Sequence, residues 1–216
     1  MRFDRVHKMF GDNFEKIQKA KIIILGVGGV GGFALDALKR TGVKHITIVD
    51  DDFFDETNQN RQIGSETGVG ISKVNHLASI YDDITPIHQT ITPQWIDEFD
   101  FEEFDFILDA IDEIQSKVHL ISKYSYKLIS SGGSAKRIDP TKIEYIDIFS
   151  TFNDPFAKKI RTELKKIKFN KKFKIIFSSE EPICKELGSF VGVTGAFGLT
   201  MSSITIQKII SKYELK

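Results

Sequence analysis

Residues Ile22–Leu25 are an unbroken apolar run that enters a glycine-rich turn, "IIILGVGGVGG". Such a run, short and bounded by turn residues, predicts a strand buried on both faces. The same signature predicts strands over Lys21–Leu25, His45–Val49, Ile87–Ile91, Phe104–Ala110 and Lys127–Ser131, and later over Ile143–Phe149 and Lys174–Phe177. Between them, apolar residues spaced three and four apart predict helices over Gly31–Thr41, Ile71–Asp82, Gln115–Tyr126, Pro155–Lys166 and Gly192–Lys212. Strand and helix alternate through the first part, which favours parallel pairing with helices on both faces. "GGSAKRIDPTKIEYIDIF" breaks that rhythm with two turns and an alternating strand, the pattern of an antiparallel addition. The expected fold is α/β: one domain over residues 1–216, a Rossmann-like mixed sheet with a mostly parallel N-terminal half and antiparallel C-terminal strands, helices on both faces.

Two stretches depart from this alternation. "DEFDFEEFDF" (Asp97–Phe106) alternates acid with phenylalanine and is expected as a solvated helix or turn feeding a strand. Leu187–Gln207 carries no charge and is about as long as a bilayer is thick, but it is rich in Gly, Ser and Thr. A buried helix beneath an active site is the expectation, with no stable membrane insertion. The N-terminus lacks the apolar core of a secretory signal, so a cytoplasmic protein is expected.

Composition narrows the chemistry. The 216 residues include 30 basic and 30 acidic side chains, so only a local patch can speak for a polyanionic partner. One cysteine excludes a disulfide framework and a self-sufficient four-cysteine zinc site. The densest patch is Lys158–Lys174, with nine basic residues and one acid. It is either a solvated helical face or a surface for a phosphate backbone, carried by Lys158, Lys159, Arg161, Lys165, Lys166 and Lys168.

Gly26, Gly28 and Gly31 fit G-x-G-x-x-G between a predicted strand and a predicted helix, and Asp50 closes the next strand. Glycines let a phosphate approach the backbone, helix-terminal amides bind it, and a carboxylate after the second strand accepts from ribose hydroxyls. NAD and ATP both fit this much, as does a purely structural glycine turn. "DDDFFDETNQNRQIG", with Lys73 and Asp112 downstream, favours ATP. Cleaving a triphosphate requires its charge to be neutralised as it moves onto pyrophosphate. Arg61 and Lys73 suit that task, and Asp112 suits a magnesium ion bridging phosphate oxygens.

These residues together, "GVGGVGG", Asp50 with "NQNRQ", Lys73 and "DAID", resemble the adenylating family that activates ubiquitin and the bacterial sulfur-carrier proteins. "RFDRVHKMFG", "SGGSAKRIDPTKIEYIDIFSTFNDPFAKKIRTELKK" and "FSSEEP" are similar to its branch of tRNA threonylcarbamoyladenosine dehydratases, so the resemblance spans nearly the whole chain. The resemblance implies that Gly26, Gly28, Gly29 and Gly31 cradle ATP, that Asp50 binds ribose, and that Asn58, Arg61, Gln62 and Lys73 surround the phosphates. It implies Mg²⁺ on Asp112, the first-ranked catalytic residue, and an N-terminal arginine, Arg5 or else Arg2, reaching into the neighbouring site of a homodimer. The implied activity is ATP-dependent dehydration of N6-threonylcarbamoyladenosine at position 37 of tRNA through an adenylated carboxylate. The basic region 150–180 is then expected as a mobile substrate-binding segment for tRNA. The alternative is adenylation of a ubiquitin-like sulfur-carrier protein's C-terminal carboxylate, with a sulfur-transfer or carrier-protein partner; a regulatory nucleotide-binding protein is a third reading.

The chain departs from these patterns in places. It lacks the cysteine pairs with which sulfur-carrier activators hold zinc, which favours the tRNA branch. Glu113 follows "DAID" where many activators have asparagine. An insertion of longer relatives after "FSSEEP" is missing. Cys184 does not align with the cysteine of some branch members and is expected to be structural or incidental.

Overall fold

A computed structural model describes residues 2–214. The chain runs α1 (Asp4–Phe10), α2 (Asn13–Lys19), β1 (Lys21–Leu25), α3 (Gly29–Thr41), β2 (His45–Asp50), α4 (Ser65–Gly68), α5 (Lys73–Ile80), β3 (Ile84–His88) and α6 (Pro93–Glu98). It continues with β4 (Phe106–Asp109), α7 (Ile114–Tyr124), β5 (Leu128–Ser131), β6 (Ile143–Asp147), α8 (Pro155–Lys166), β7 (Lys174–Ser178) and α9 (Val191–Glu214). The strands form one sheet in the order β3-β2-β1-β4-β5-β7-β6. Every pairing is parallel except β6 on β7. The antiparallel addition is therefore β6 alone; β7 runs with the parallel set.

The alternation of side chains along each strand divides the core in two. Ile22 and Ile24 of β1 face one side with Ile46, Ile48, Leu108 and Ile176, against α3, α5 and α9. Ile23 and Leu25 face the other with Val49, Ile107, Leu128 and Ile175, against α6, α7 and α8. A strand covered on both sides favours apolar residues on both faces, which is why Ile22–Leu25 of β1 reads as a continuous run.

The third strand lies at Ile84–His88 rather than Ile87–Ile91. Pro86 conceals it in the sequence, but β3 is an edge strand, where a missing N–H is tolerated. The acid–phenylalanine stretch opens in the last turn of α6 and becomes a turn, which buries Phe101 and Phe104 and leaves the acids outside. The uncharged C-terminal stretch is α9, packed on α3; at Gly198 a Cβ would lie 2.4 Å from the Val30 carbonyl oxygen, so small residues set the helix spacing. No helix among the described residues is long and apolar enough to cross a membrane.

Segment 150–180 is built into the fold. α8 buries Ala157, Ile160 and Leu164, and β7 lies between β5 and β6. The exposed basic side chains lie on the outer face of α8, in the loop after it and at Lys174, the first residue of β7.

Candidate functional site

The carboxyl ends of β1, β2 and β4 converge on a cleft of about 780 Å³. Gly26 opens its floor with φ +82°, and a Cβ there would meet the Ala110 carbonyl oxygen at 2.9 Å. Only glycine tolerates both conditions. Gly28 and Gly29 follow as the N-cap and first residue of α3 and line the cleft. No side chain caps α3, so its first amides remain available to an anion. Gly31 does not line the cleft. A Cβ on it would come within 1.9 Å of the Gly26 carbonyl oxygen, so its part is to let α3 sit on the turn rather than to touch a ligand.

Asp50, at the end of β2, accepts from the Val27 amide at 2.7 Å and the Asp52 amide at 2.9 Å. Burial raises its pKa, opposed by the nearby Lys73 charge and these two amides. Lys73 begins α5, is buried, and pairs with Asp52 at 2.7 Å. Asn58 and Asp55 form reciprocal caps on a single 3-10 turn, which presents Arg61 and Gln62 to the cleft. Arg61 is braced by the Thr57 carbonyl at 2.9 Å and the Asn60 side chain at 2.8 Å. Asp112 is exposed on the cleft wall in the loop after β4. The residues expected from sequence to surround a nucleotide thus share one cavity, Gly31 and Arg5 apart; Arg5 is exposed on α1 and does not line it.

A carboxylate such as Asp112, open to a cleft that also offers helix amides, Arg61 and Lys73, suits Mg²⁺, which binds through one or two carboxylates plus phosphate oxygens. Asp50, Asp51 and Asp52 also bring carboxylates within 4.8 Å of one another. They are engaged already, by backbone amides, by Thr90 and by Lys73 respectively.

Several residues in and beneath the cleft were not singled out in the sequence. Ser134, Ser189 and Thr194 also line the cleft. Beneath Asp112 lies a buried polar layer. Asp109 pairs with Lys117 at 2.7 Å and accepts from Ser130 at 2.6 Å, with both charged side chains fully buried. The same carboxylate accepts from the Ile111 amide at 3.2 Å, which bends the loop that carries Asp112. Burial lowers the Lys117 pKa, opposed by Asp109. Lys117 shares a helix face with Leu120 and Ile121, three and four residues on, and that spacing was its one signal. Nearby, Asp154 caps α8 through the Phe156 and Ala157 amides and accepts from the Gly133 amide at 3.2 Å. Glu113 explains its departure from asparagine: its carboxylate caps α7 through the Gln115 and Ser116 amides.

The basic residues divide. Arg161 turns inward onto the Thr151 hydroxyl, and Lys166 pairs with Glu163 at 2.7 Å. Lys158, Lys159, Lys165 and Lys168 are exposed. Lys158 and Lys159 line a groove with Ile114 and Gln115, and Gln115 also lines the main cleft. Cys184 is free and exposed, its thiol 3.3 Å from the Glu186 carbonyl oxygen.

Residues 4–215 match the ThiF family. The chain is 40% identical over 182 residues to a tRNA threonylcarbamoyladenosine dehydratase of Bacillus subtilis, covering 80% of this chain and 72% of that one. Crystal structures of the Escherichia coli tRNA N6-threonylcarbamoyladenosine dehydratase are similar throughout. The complex with AMP superposes with a TM-score of 0.93 at 30% identity, covering 99% of this chain and 96% of that one. The complex with ATP gives the same score and identity over 100% and 96%.

The buried layer yields a stability prediction. Lys117→Met leaves the Asp109 carboxylate buried without its partner and costs about 3–5 kcal/mol in urea unfolding. Adding Asp109→Asn removes the stranded charge and recovers part of that loss; a single variant as stable as the parent would contradict the pairing.

Proposed function

This chain belongs to the ThiF family, and from that premise we propose that it is an ATP-dependent dehydratase that cyclises N6-threonylcarbamoyladenosine at position 37 of tRNA. The observation that carries the reading is the convergence of Gly28, Gly29, Asp50, Arg61, Lys73 and Asp112 on one cleft. Its support from relatives is the dehydratase activity for which the Bacillus subtilis protein is named and the AMP and ATP complexes of the Escherichia coli enzyme. The alternative, activation of a sulfur-carrier protein, is not favoured: the chain has one cysteine and no zinc-binding cysteine pairs.

A carboxylate is a poor acyl donor because its oxygen leaves badly. In the proposed reaction the substrate carboxylate attacks the α-phosphorus of ATP, and pyrophosphate departs with the electrons of the broken bond. The α3 amides hold phosphate oxygens, Asp50 holds ribose, and Arg61 and Lys73 offset the charge gathering on pyrophosphate. Lys73 reaches that charge by exchanging its Asp52 partner for phosphate. A Mg²⁺ held by Asp112, when bound, neutralises phosphate charge further. A nitrogen of the same modified nucleoside then attacks the activated carbonyl, loses its proton, and expels AMP with the former carboxylate oxygen. The product is the substrate less one water. The nucleophile belongs to the substrate, so the protein's task is to position the reacting groups and exclude water.

The exposed lysines of α8 grip the phosphate backbone of the anticodon arm in this reading, with Lys158 and Lys159 nearest the cleft. The working unit is a homodimer in the cytoplasm, with Arg5 reaching a partner's site.

Mass spectrometry of nucleosides from modified tRNA incubated with the protein tests the assignment. ATP-dependent loss of one water supports it, and an unchanged nucleoside refutes it. Asp112→Ala is expected to lower turnover by about a hundredfold or more while ATP still binds. Charge reversal of Lys158 and Lys159 together is expected to weaken tRNA binding by about tenfold or more at low salt, flatten its salt dependence, and leave ATP affinity intact; parental tRNA affinity would remove α8 from the interface.

A further inference from the structure

Thr194 is only 3% exposed, and its Oγ1 has no hydrogen-bond partner among the described residues. A threonine in a helix commonly returns its hydroxyl to the carbonyl four residues earlier. Here the Phe190 carbonyl takes the backbone amides of Val193 at 3.1 Å and Thr194 at 3.0 Å, and not the hydroxyl. The methyl group packs on α3: a Cβ at Gly29 would lie 2.5 Å from Thr194 Cγ2. The residue lines the cleft; its methyl half packs on α3 while its buried hydroxyl is left without a partner among the described residues.

A second orphan lies nearby. Gln62 Oε1 is buried with no partner among the described residues, and a Cβ at Gly28 would lie 3.8 Å from Gln62 Nε2. Thr194 stands against Gly29 and Gln62 against Gly28, so the two flank the uncapped start of α3. These are the two buried side-chain polar atoms without partners among the described residues, and both border the same cleft. An unpaired buried hydroxyl lowers the stability of the free protein, and such a group calls for a ligand that completes it. The free α3 amides and the Arg61 side chain, which lines the same cleft, favour negative charge here.

We propose that the Thr194 hydroxyl donates a hydrogen bond to an anionic oxygen of the reacting substrates at the N-terminus of α3, with Gln62 Nε2 as a second donor and Gln62 Oε1, an acceptor, outside that bond. This rests on the adenylating reading of the cleft. The oxygen belongs either to the nucleotide phosphate or to the substrate carboxylate. In both cases Thr194 trades stability of the free protein for recognition of the ligand.

Two variants test it. Thr194→Val keeps the shape and the contact on Gly29 but removes the hydroxyl; Thr194→Ser keeps the hydroxyl. The measurements are the thermal midpoint without ligand, ATP affinity by calorimetric titration, and kcat and KM with modified tRNA. Thr194→Val is expected to unfold at a higher temperature than the parent and to lose at least about tenfold in ATP affinity or in kcat/KM for tRNA. Thr194→Ser is expected to stay close to the parent in both ligand readouts. Weaker ATP binding identifies phosphate as the source of the oxygen; unchanged ATP binding with a loss confined to tRNA identifies the carboxylate. Parental ATP affinity and kcat/KM in Thr194→Val would overturn the proposal, as would a lowered thermal midpoint, since that means the hydroxyl is satisfied within the fold. If the parent itself does not dehydrate tRNA, the functional reading fails, and the ATP arm still decides the role of Thr194.

Discussion

The site depends on three backbone segments meeting at Gly26. The end of β1, the start of α3 and the loop after β4 come so close that a Cβ at Gly26 would strike Ala110 and one at Gly31 would strike Gly26. Because of that approach, the amides of α3 open into the cleft at the height of the β4 loop, and the loop holds Asp112 on the facing wall. Nothing bulkier than hydrogen fits at either point, so the geometry of the cleft follows from sterics before any charge is considered.

Charge is arranged around that contact in two ways. Within the protein, Asp109, Lys117 and Ser130 satisfy one another and hold the Asp112 loop from beneath. Toward the cleft, polar groups are held in reserve. Lys73 is paired with a largely exposed Asp52, a partner it can exchange for phosphate, and Thr194 and Gln62 carry unpaired atoms. A closed network sets position, and an open one recognises what enters.

Much of this was legible in the sequence because the strands are covered on both faces. Ile22–Leu25 of β1 and Phe106–Leu108 of β4 therefore read as apolar runs, and the residues after β1, β2 and β4 had to share the carboxyl edge of a parallel sheet. Where a residue's meaning depended on which neighbour the folded chain brings against it, the reading ran out. Gly31 looks like a phosphate ligand in its motif and proves to be a packing residue because of Gly26. Arg161 sits in a basic run, yet its partner is Thr151. Pro86 disguised an edge strand. Thr194 lies among small residues that signal only helix packing, and its bare hydroxyl follows from where α9 meets α3. The buried Lys117 needed Asp109 of β4 and Ser130 of β5 beside it to make sense, and only the fold brings those strand ends against α7.

The central claim is that the start of α3, Asp50 and Asp112 surround a single nucleotide whose phosphates are broken within this cleft. Crystals soaked with a non-hydrolysable ATP analogue and magnesium test it most directly. The account predicts phosphate density on the Gly28 and Gly29 amides, ribose against Asp50, and Lys73 turned from Asp52 toward phosphate. Nucleotide bound elsewhere, with Arg61, Lys73 and Asp112 all facing away from it, would contradict the account.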